Sequence, residues 1–514
     1  MFSKSRGGAF VAIAVVISAA CGSVKDTKPD AYAGDFTMSL GPTELAIPIT
    51  GSQTSTVAFA RVGPVGDIAL TARDVPAGVT VTFDANTIEE TESTAQVTVA
   101  VAPGTATGAA TVTVVGTVGN LERTAQLTLM INPMTVSGII RGQVPGVTVV
   151  LVGKPAQTSD GQGKFEFTDV IPPYDIYTVS TDFGGTQYVF YYDDLTRPDP
   201  VVNIAPPLPF VVTSSANVTG TKSGGNTSSP LVIAWGDTAG KTTTVNGSNG
   251  YSLNAAWSFA STKMGTLHAL QWTTKVSGEP ETFLGYGQTA VELTASTNAV
   301  VDVQIQTPAI ATVTGTFQSP PGFAAPTITL TQALGNNSHT MWSAVATAMN
   351  ATIPMIPAGP SAVFGIATLS TSKSQFVIPA IASNADASFV MRSPAVQGQP
   401  QDGAVDVTTS TPFDWVGPAG VVNQVTMVTQ GAVKASYEII TTNSSVTIPI
   451  IPELPLPGTQ SFTWRVTGYG PHATIDEAAS EVGLRSAVPT TFEGAPHFST
   501  ISMDRAFTSA APMP

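Results

Sequence analysis

The sequence predicts an all-β chain, arranged as a tandem array of β-sandwiches. Three observations lead there. Short segments rich in Val, Thr and Ile alternate apolar and polar residues, as half-buried strands do. Gly, Pro, Asn, Asp and Ser punctuate them at short intervals, and long stretches at helical spacing are nearly absent.

The strand pattern is clearest at Gln96 to Val101, Ala110 to Val115, Gln126 to Met130 and Val301 to Gln306. Two segments, Met341 to Ala351 and Ile475 to Leu484, are spaced weakly as helices, the second more convincingly. A Pro, which cannot donate to a central ladder, closes strands at Pro133, Pro206, Pro308 and Pro394. A Val-x-Gly opening follows at Val136, Val218 and Val313, at intervals close to the roughly 100 residues of an immunoglobulin-like sandwich. These marks divide the exported chain into modules at 36–132, 133–206, 207–307, 308–394 and 395–514. The linkers are a few residues long, so the array is expected to be stiff.

Of the 514 residues only 11% are charged, and they sum to −14. Nucleic acid is a poor partner for that balance, because phosphate binding needs clustered Lys and Arg. Residues 1–21 read as an export signal, with Lys4 and Arg6 before an apolar stretch, Ala9 to Ile17, too short to span a bilayer as a helix. Its end, Ile17-Ser18-Ala19-Ala20-Cys21-Gly22, resembles a bacterial lipoprotein lipobox, which implies lipidation at Cys21. Acyl chains on that Cys would anchor the protein to a membrane without spanning it. Gly22 stands where some inner-membrane lipoproteins carry Asp, which favours the outer membrane, on its periplasmic or its cell-surface side. Residues 22–35 lack apolar periodicity and read as a flexible tether. Cys21 is the only Cys, so every exported module must be held by its core rather than by disulfides.

In the first module, Asp74-Val75-Pro76-Ala77-Gly78-Val79 leads into a strand ending at Phe83. This resembles bacterial Ig-like domains. Pro76 presets φ, Gly78 supplies a positive one, and Val79, Val81 and Phe83 then share a face. The second module resembles the carboxypeptidase regulatory-like family, a transthyretin-like sandwich, through Gly138, the strand Val147 to Val152, the turn Asp160-Gly161-Gln162-Gly163 and the strand Lys164 to Phe167. That resemblance implies an accessory unit without catalytic residues. The third and fourth modules open alike, with Val-Thr-Gly-Thr at Val218 and Val313, and the resemblance extends to them through that opening and the closing strand. In the last module Phe413-Asp414-Trp415, Tyr437 to Thr441 and Phe462 to Val466 are similar to fibronectin type III-like domains, interrupted by an insertion from about His472 to His497 before a final strand at Ser499 to Phe507.

Catalytic signatures are sparse. His268, His339, His472 and His497 are far apart in sequence, so no His pair spaced for a metalloprotease helix exists. His472 and His497, with Asp476 and Glu477, bracket the last insertion and could meet there, although exposed loop histidines are the plainer expectation. A Gly-x-Ser-x-Gly elbow is missing, and Trp235 to Thr242 only approximates a phosphate-binding loop, with Trp235 where a Gly is required. Asp193, Asp194 and Asp199 are candidate cation ligands, since calcium takes six to eight oxygens; a solvated loop is the alternative. Tyr188, Phe190, Tyr191 and Tyr192 crowd one strand, with Tyr191 opposite the other three. Their exposed face is the candidate ligand surface, for a glycan or a surface protein. No cofactor is expected. The reading that follows is a non-enzymatic, surface-anchored lipoprotein displaying a sandwich array for adhesion or ligand binding; a carbohydrate-binding or assembly subunit beside an exported hydrolase is the alternative.

Overall fold

A computed structural model describes residues 34–182, 184–204, 214–236, 242–245, 247–257, 260–275, 280–381, 385–484 and 496–511. Cys21, the export signal and nearly all of the tether lie outside them, as do residues 237–241 of the loop that follows Trp235. The described chain is all-β, apart from a single helical turn at Ile475–Ala478. Among the described residues no helix is long and apolar enough to cross a membrane.

By contact density the chain divides into two units. Among the described residues the first comprises 34–47, 52–100 and 108–131. It is a sandwich of two sheets. One is ordered Asp35–Gly41, Ser52–Val62, Thr94–Val101, Val79–Phe83, and the other Glu44–Pro48, Leu121–Asn132, Gly108–Val118, Ile68–Arg73, Thr87–Ile88. The alternation in Thr94–Val101 turns Val97 and Val99 inward, and Phe36, Val112, Val114, Leu127 and Leu129 of other strands of the sandwich are likewise fully buried. The expected turn is present: Gly78 has φ +80°, Val79 N donates to Pro76 O, and Val79, Val81 and Phe83 point to one side.

The second unit contains the remaining strands. Strands Gly250–Trp257, Ser214–Ser223 and Asn298–Val300 form one sheet, and Thr242–Val245, Leu231–Trp235, Thr262–Thr274 and Pro280–Thr294 another, with Trp235 and Trp257 fully buried in the core between them. The other three expected modules are also layered, but their larger sheets merge into one of 14 strands. Its path runs from the hairpin Tyr174–Thr181/Gln187–Leu195 to Ala435–Thr441, Val422–Thr429 and Ser461–Gly470. It continues through His497–Ile501 to Ser372–Ile378, Ser361–Leu369, Thr327–Leu334 and Asn337–Val345. The first join is parallel, with Gln187 opposite Ala435 and Tyr192 opposite Ile440. The second is antiparallel, Lys373 opposite Ile501. Smaller sheets cover the large one and enclose separate cores, one around Phe165, Ile176 and Tyr192, one around Phe413, Tyr437 and Trp464, one around Phe317, Trp342 and Phe376.

Local differences from the sequence reading have physical causes. Met341 to Ala351 is not helical: it is the connection and flanks of two consecutive strands in different sheets, Asn337–Val345 and Ala348–Met355, whose buried Met341, Trp342, Met349 and Ala351 mimic helical spacing across the break. Ile475 to Leu484 keeps one helical turn. Thr474 caps it by accepting from Glu477 N at 3.2 Å, while the Glu477 carboxylate reaches one residue further back than in a capping box and accepts from Ala473 N at 2.6 Å. The final strand is two, His497–Ile501 and Arg505–Ser509. In the second module Gly138 faces Phe165, and a Cβ there would lie 2.2 Å from that ring and 2.8 Å from Pro200 O, so only Gly allows the approach.

Candidate functional site

The residues singled out from sequence converge on the hairpin Tyr174–Thr181/Gln187–Leu195. Its turn is fixed by Asp182, whose carboxylate accepts from Gly184 N and Thr186 N, both at 2.8 Å, and from the Tyr188 hydroxyl at 3.1 Å. Those donors hold the Asp182 acid below the ordinary carboxylate range, the Thr186 amide contributing most. Strand alternation puts Phe190 and Tyr192 on one face and Tyr191 on the other, as expected.

The strand is not an edge, however. It pairs antiparallel with Tyr174–Thr181 on one side and parallel with Ala435–Thr441 on the other, so cores cover both of its faces. Tyr192 is fully buried, its rings 5.6 Å from Phe190, and its hydroxyl accepts from Asn203 N at 3.1 Å. Tyr191 stacks on Tyr177 at 6.0 Å and donates to Asp175 Oδ2 at 2.6 Å. Burial and that carboxylate push the Tyr191 phenol far above its usual range. The four aromatic residues therefore make no exposed platform: two are core, Tyr191 is a half-buried strut, and Tyr188 closes the turn.

The carboxylates gather differently from the sequence expectation. Asp193 and Asp194 meet Asp175, with ligand-capable oxygens of all three within 4.8 Å of one another. Asp199 goes elsewhere, into an ion pair with Arg197 at 2.8 Å. Asp175 joins because a register shift in the hairpin sets it against Asp193 and Asp194. Asp194 takes φ +62° and its amide donates to Asp175 Oδ1 at 3.0 Å. Asp193 Oδ2 accepts from Thr441 Oγ1 at 3.0 Å and Asn443 Nδ2 at 3.1 Å. Burial, then the neighbouring Asp194 and Asp175 charges, raise the Asp193 acid, against the pull of Thr441 and Asn443. Three carboxylates are half or less of a calcium ion's oxygen shell. Chemically the group can do two things: accept hydrogen bonds that tie the hairpin to the strand Ala435–Thr441, as the structure displays, and offer hard oxygens to a cation.

On the opposite face of the same parallel pair, sequence reading missed Glu438. It is 8% exposed and accepts from Thr426 Oγ1 at 2.6 Å, Gln424 Nε2 at 2.7 Å and Ser436 Oγ at 3.0 Å. Burial pushes its acid up against the pull of those donors. Its one signal in sequence was a lone acid in an otherwise apolar strand, Tyr437 to Ile440.

The last insertion is a structural clamp over its described part. Ile475, Ala478, Ala479 and Leu484 are buried in the core of the second module. Arg141 donates to Ser480 O at 2.7 Å and Glu481 O at 2.8 Å, and Val201 N donates to Ala479 O at 2.6 Å. Asp476 accepts from Thr196 N at 2.9 Å, Arg197 N at 3.1 Å and the Thr196 hydroxyl. Asp476 is thus engaged with Thr196 and Arg197, and Glu477 with the Ala473 amide; Glu477 and His497 come close enough to act on His472 electrostatically, but among the described residues these four form no group tight enough to hold a metal. The His472 imidazole is pushed below its usual range chiefly by burial. His268 Nδ1 lies 3.0 Å from the Tyr286 hydroxyl, and the His339 ring packs 5.3 Å from Trp272.

No family model matches the chain, and no curated protein does. The Ig-like, carboxypeptidase regulatory-like and fibronectin-like likenesses therefore rest on the residues quoted above. Solved structures that share features with it include the Bacillus anthracis TIE protein, at 10% identity over 69% of this chain and 74% of that one, with a TM-score of 0.21. Domains 5-6 of the S-layer protein SbsC match at 14% identity over 52% of this chain and 97% of that chain, with a TM-score of 0.15. The ICAM-5 D1-D4 ectodomain fragment matches at 9% identity over 84% and 95%, also with a TM-score of 0.15. At these scores the likenesses carry no argument about function.

Proposed function

We propose that this chain is a non-catalytic scaffold displayed on a cell surface, tethered by lipid at Cys21 and presenting sandwich faces for adhesion or ligand binding. The observation that carries the reading is the 14-stranded sheet, which welds segments distant in sequence into one body. Polar groups that another fold could spend on chemistry hold that body together: Asp193 across the parallel join, Glu438 between the strands Ala435–Thr441 and Val422–Thr429, Arg141 and Asp476 at the clamp. A cysteine-free ectodomain needs such ties, because no disulfide can supply them.

The test is palmitate labelling and protease treatment of intact cells making either the wild type or Cys21→Ser. The reading expects label on the wild type alone, digestion of the wild type from outside, and release of the variant. An exported but unlabelled wild type, or peptide or ester hydrolysis by the purified ectodomain, would overturn it.

A further inference from the structure

We propose that a hollow in the 308–394 module binds one neutral hexopyranose unit of a glycan. This deepens the display reading above by giving the scaffold a ligand class and a site.

The hollow has a volume of about 560 Å³, within the range of small-ligand sites. It forms where the strand Ala309–Gln318 changes partners. Antiparallel pairing with Ala348–Met355 stops at Thr316 opposite Ala348, and parallel pairing sets Phe317 opposite Phe389. The loop after Gln318 closes one side, held by the Ser319 hydroxyl on Ala324 O at 2.7 Å and by Phe323 N on Pro320 O at 3.1 Å. Buried Phe317 and half-buried Phe323 and Phe389 line it, the latter two also packed against the core of the module. Phe389 is held in place by stacking on Phe376, 4.6 Å between centroids. Partly exposed aromatic side chains lining a space of that size suit the apolar C–H faces of a pyranose.

The rim is polar and lacks positive charge. Ser388 Oγ donates to Asp386 Oδ1 at 2.5 Å and accepts from Thr316 N at 2.8 Å. With that proton committed, the Thr316 hydroxyl, 3.0 Å away, donates to Ser388 and keeps a lone pair for a ligand hydroxyl. Gln318 adds an exposed amide, which both donates and accepts. Among the described residues no Lys, Arg or His lines the hollow, and Asp386 stands beside the rim, so an anionic ligand is disfavoured.

The experiment titrates soluble 22–514, which lacks Cys21, with maltohexaose, cellohexaose, mannohexaose and, as the anionic control, hexagalacturonate, read by calorimetry. At least one neutral hexaose is expected to bind. Phe323→Ala should weaken it about tenfold, the scale of one aromatic contact. Thr316→Val should weaken it about fivefold with an unchanged unfolding midpoint, which separates lost recognition from lost folding. Phe389 is left intact because its stack supports the core. Binding by no neutral hexaose, binding of hexagalacturonate alone, or neutral binding that both variants leave unchanged would overturn the assignment. Because the soluble protein needs no anchor, failure here is distinguishable from failure of lipid tethering or surface exposure.

Discussion

Thr441 donates its hydroxyl to Asp193 across 3.0 Å, although the two residues are 248 positions apart in the chain. The bond sits at one end of the parallel join between Gln187–Leu195 and Ala435–Thr441, and Glu438 sits on the other face of that join. Both carboxyls are raised by burial, so the seam carries a pH dependence of definite sign.

A carboxyl whose folded pKa exceeds its unfolded value binds more protons in the native state. Its favourable contribution is full below the ordinary Glu value and is lost as pH rises through the folded value. For Glu438, burial raises the acid, so wild-type stability should fall from mildly acidic pH toward neutrality more steeply than that of Glu438→Gln. Thermal unfolding of both proteins between pH 4 and 7 checks this, and equal slopes would refute it.

Arg141 holds the clamp through two carbonyls of the insertion and through Asn203 Oδ1 at 2.6 Å. Charge-assisted hydrogen bonds contribute roughly 1.5–3 kcal/mol when buried, less where solvent reaches them. Arg141→Ala is expected to cost about 2 kcal/mol. It should also open residues 472–484 to proteolysis before the rest of the chain, as limited digestion followed by mass spectrometry would record.

Gly138→Ala puts a methyl group into the Phe165 ring and against Pro200 O. Overpacking of that kind costs about 1–3 kcal/mol. Chemical denaturation should show the loss, and the pair Gly138→Ala with Phe165→Leu should recover part of it, since the clash is with the ring.

Local physics made much of the fold legible. Alternation in Gln96 to Val101 gave strand and inward face together, and Pro76 and Gly78 gave the turn. It also gave the opposition of Tyr191 to Phe190 and Tyr192. Periodicity could not say that the strand is central, because the partner covering its other side lies in the last module. Asp175 was invisible for a related reason: it reaches Asp193 and Asp194 only through hairpin register, which a bulge shifts. The insertion looked like a loop because its few apolar residues, Ile475, Ala478 and Leu484, find a core belonging to a different module.

The continuous sheet is tested most directly by a cross-link at its parallel join. In a soluble Cys21→Ser background, which has no other thiol, Gln187→Cys and Ala435→Cys replace residues that stand directly opposite each other. Opposed positions in neighbouring strands fall within disulfide reach. Mild oxidation is predicted to form one intramolecular disulfide, seen as a shift on non-reducing electrophoresis, without loss of folding. Two thiols that stay free in the folded protein, or that link only between molecules, would contradict the join and the single scaffold built on it.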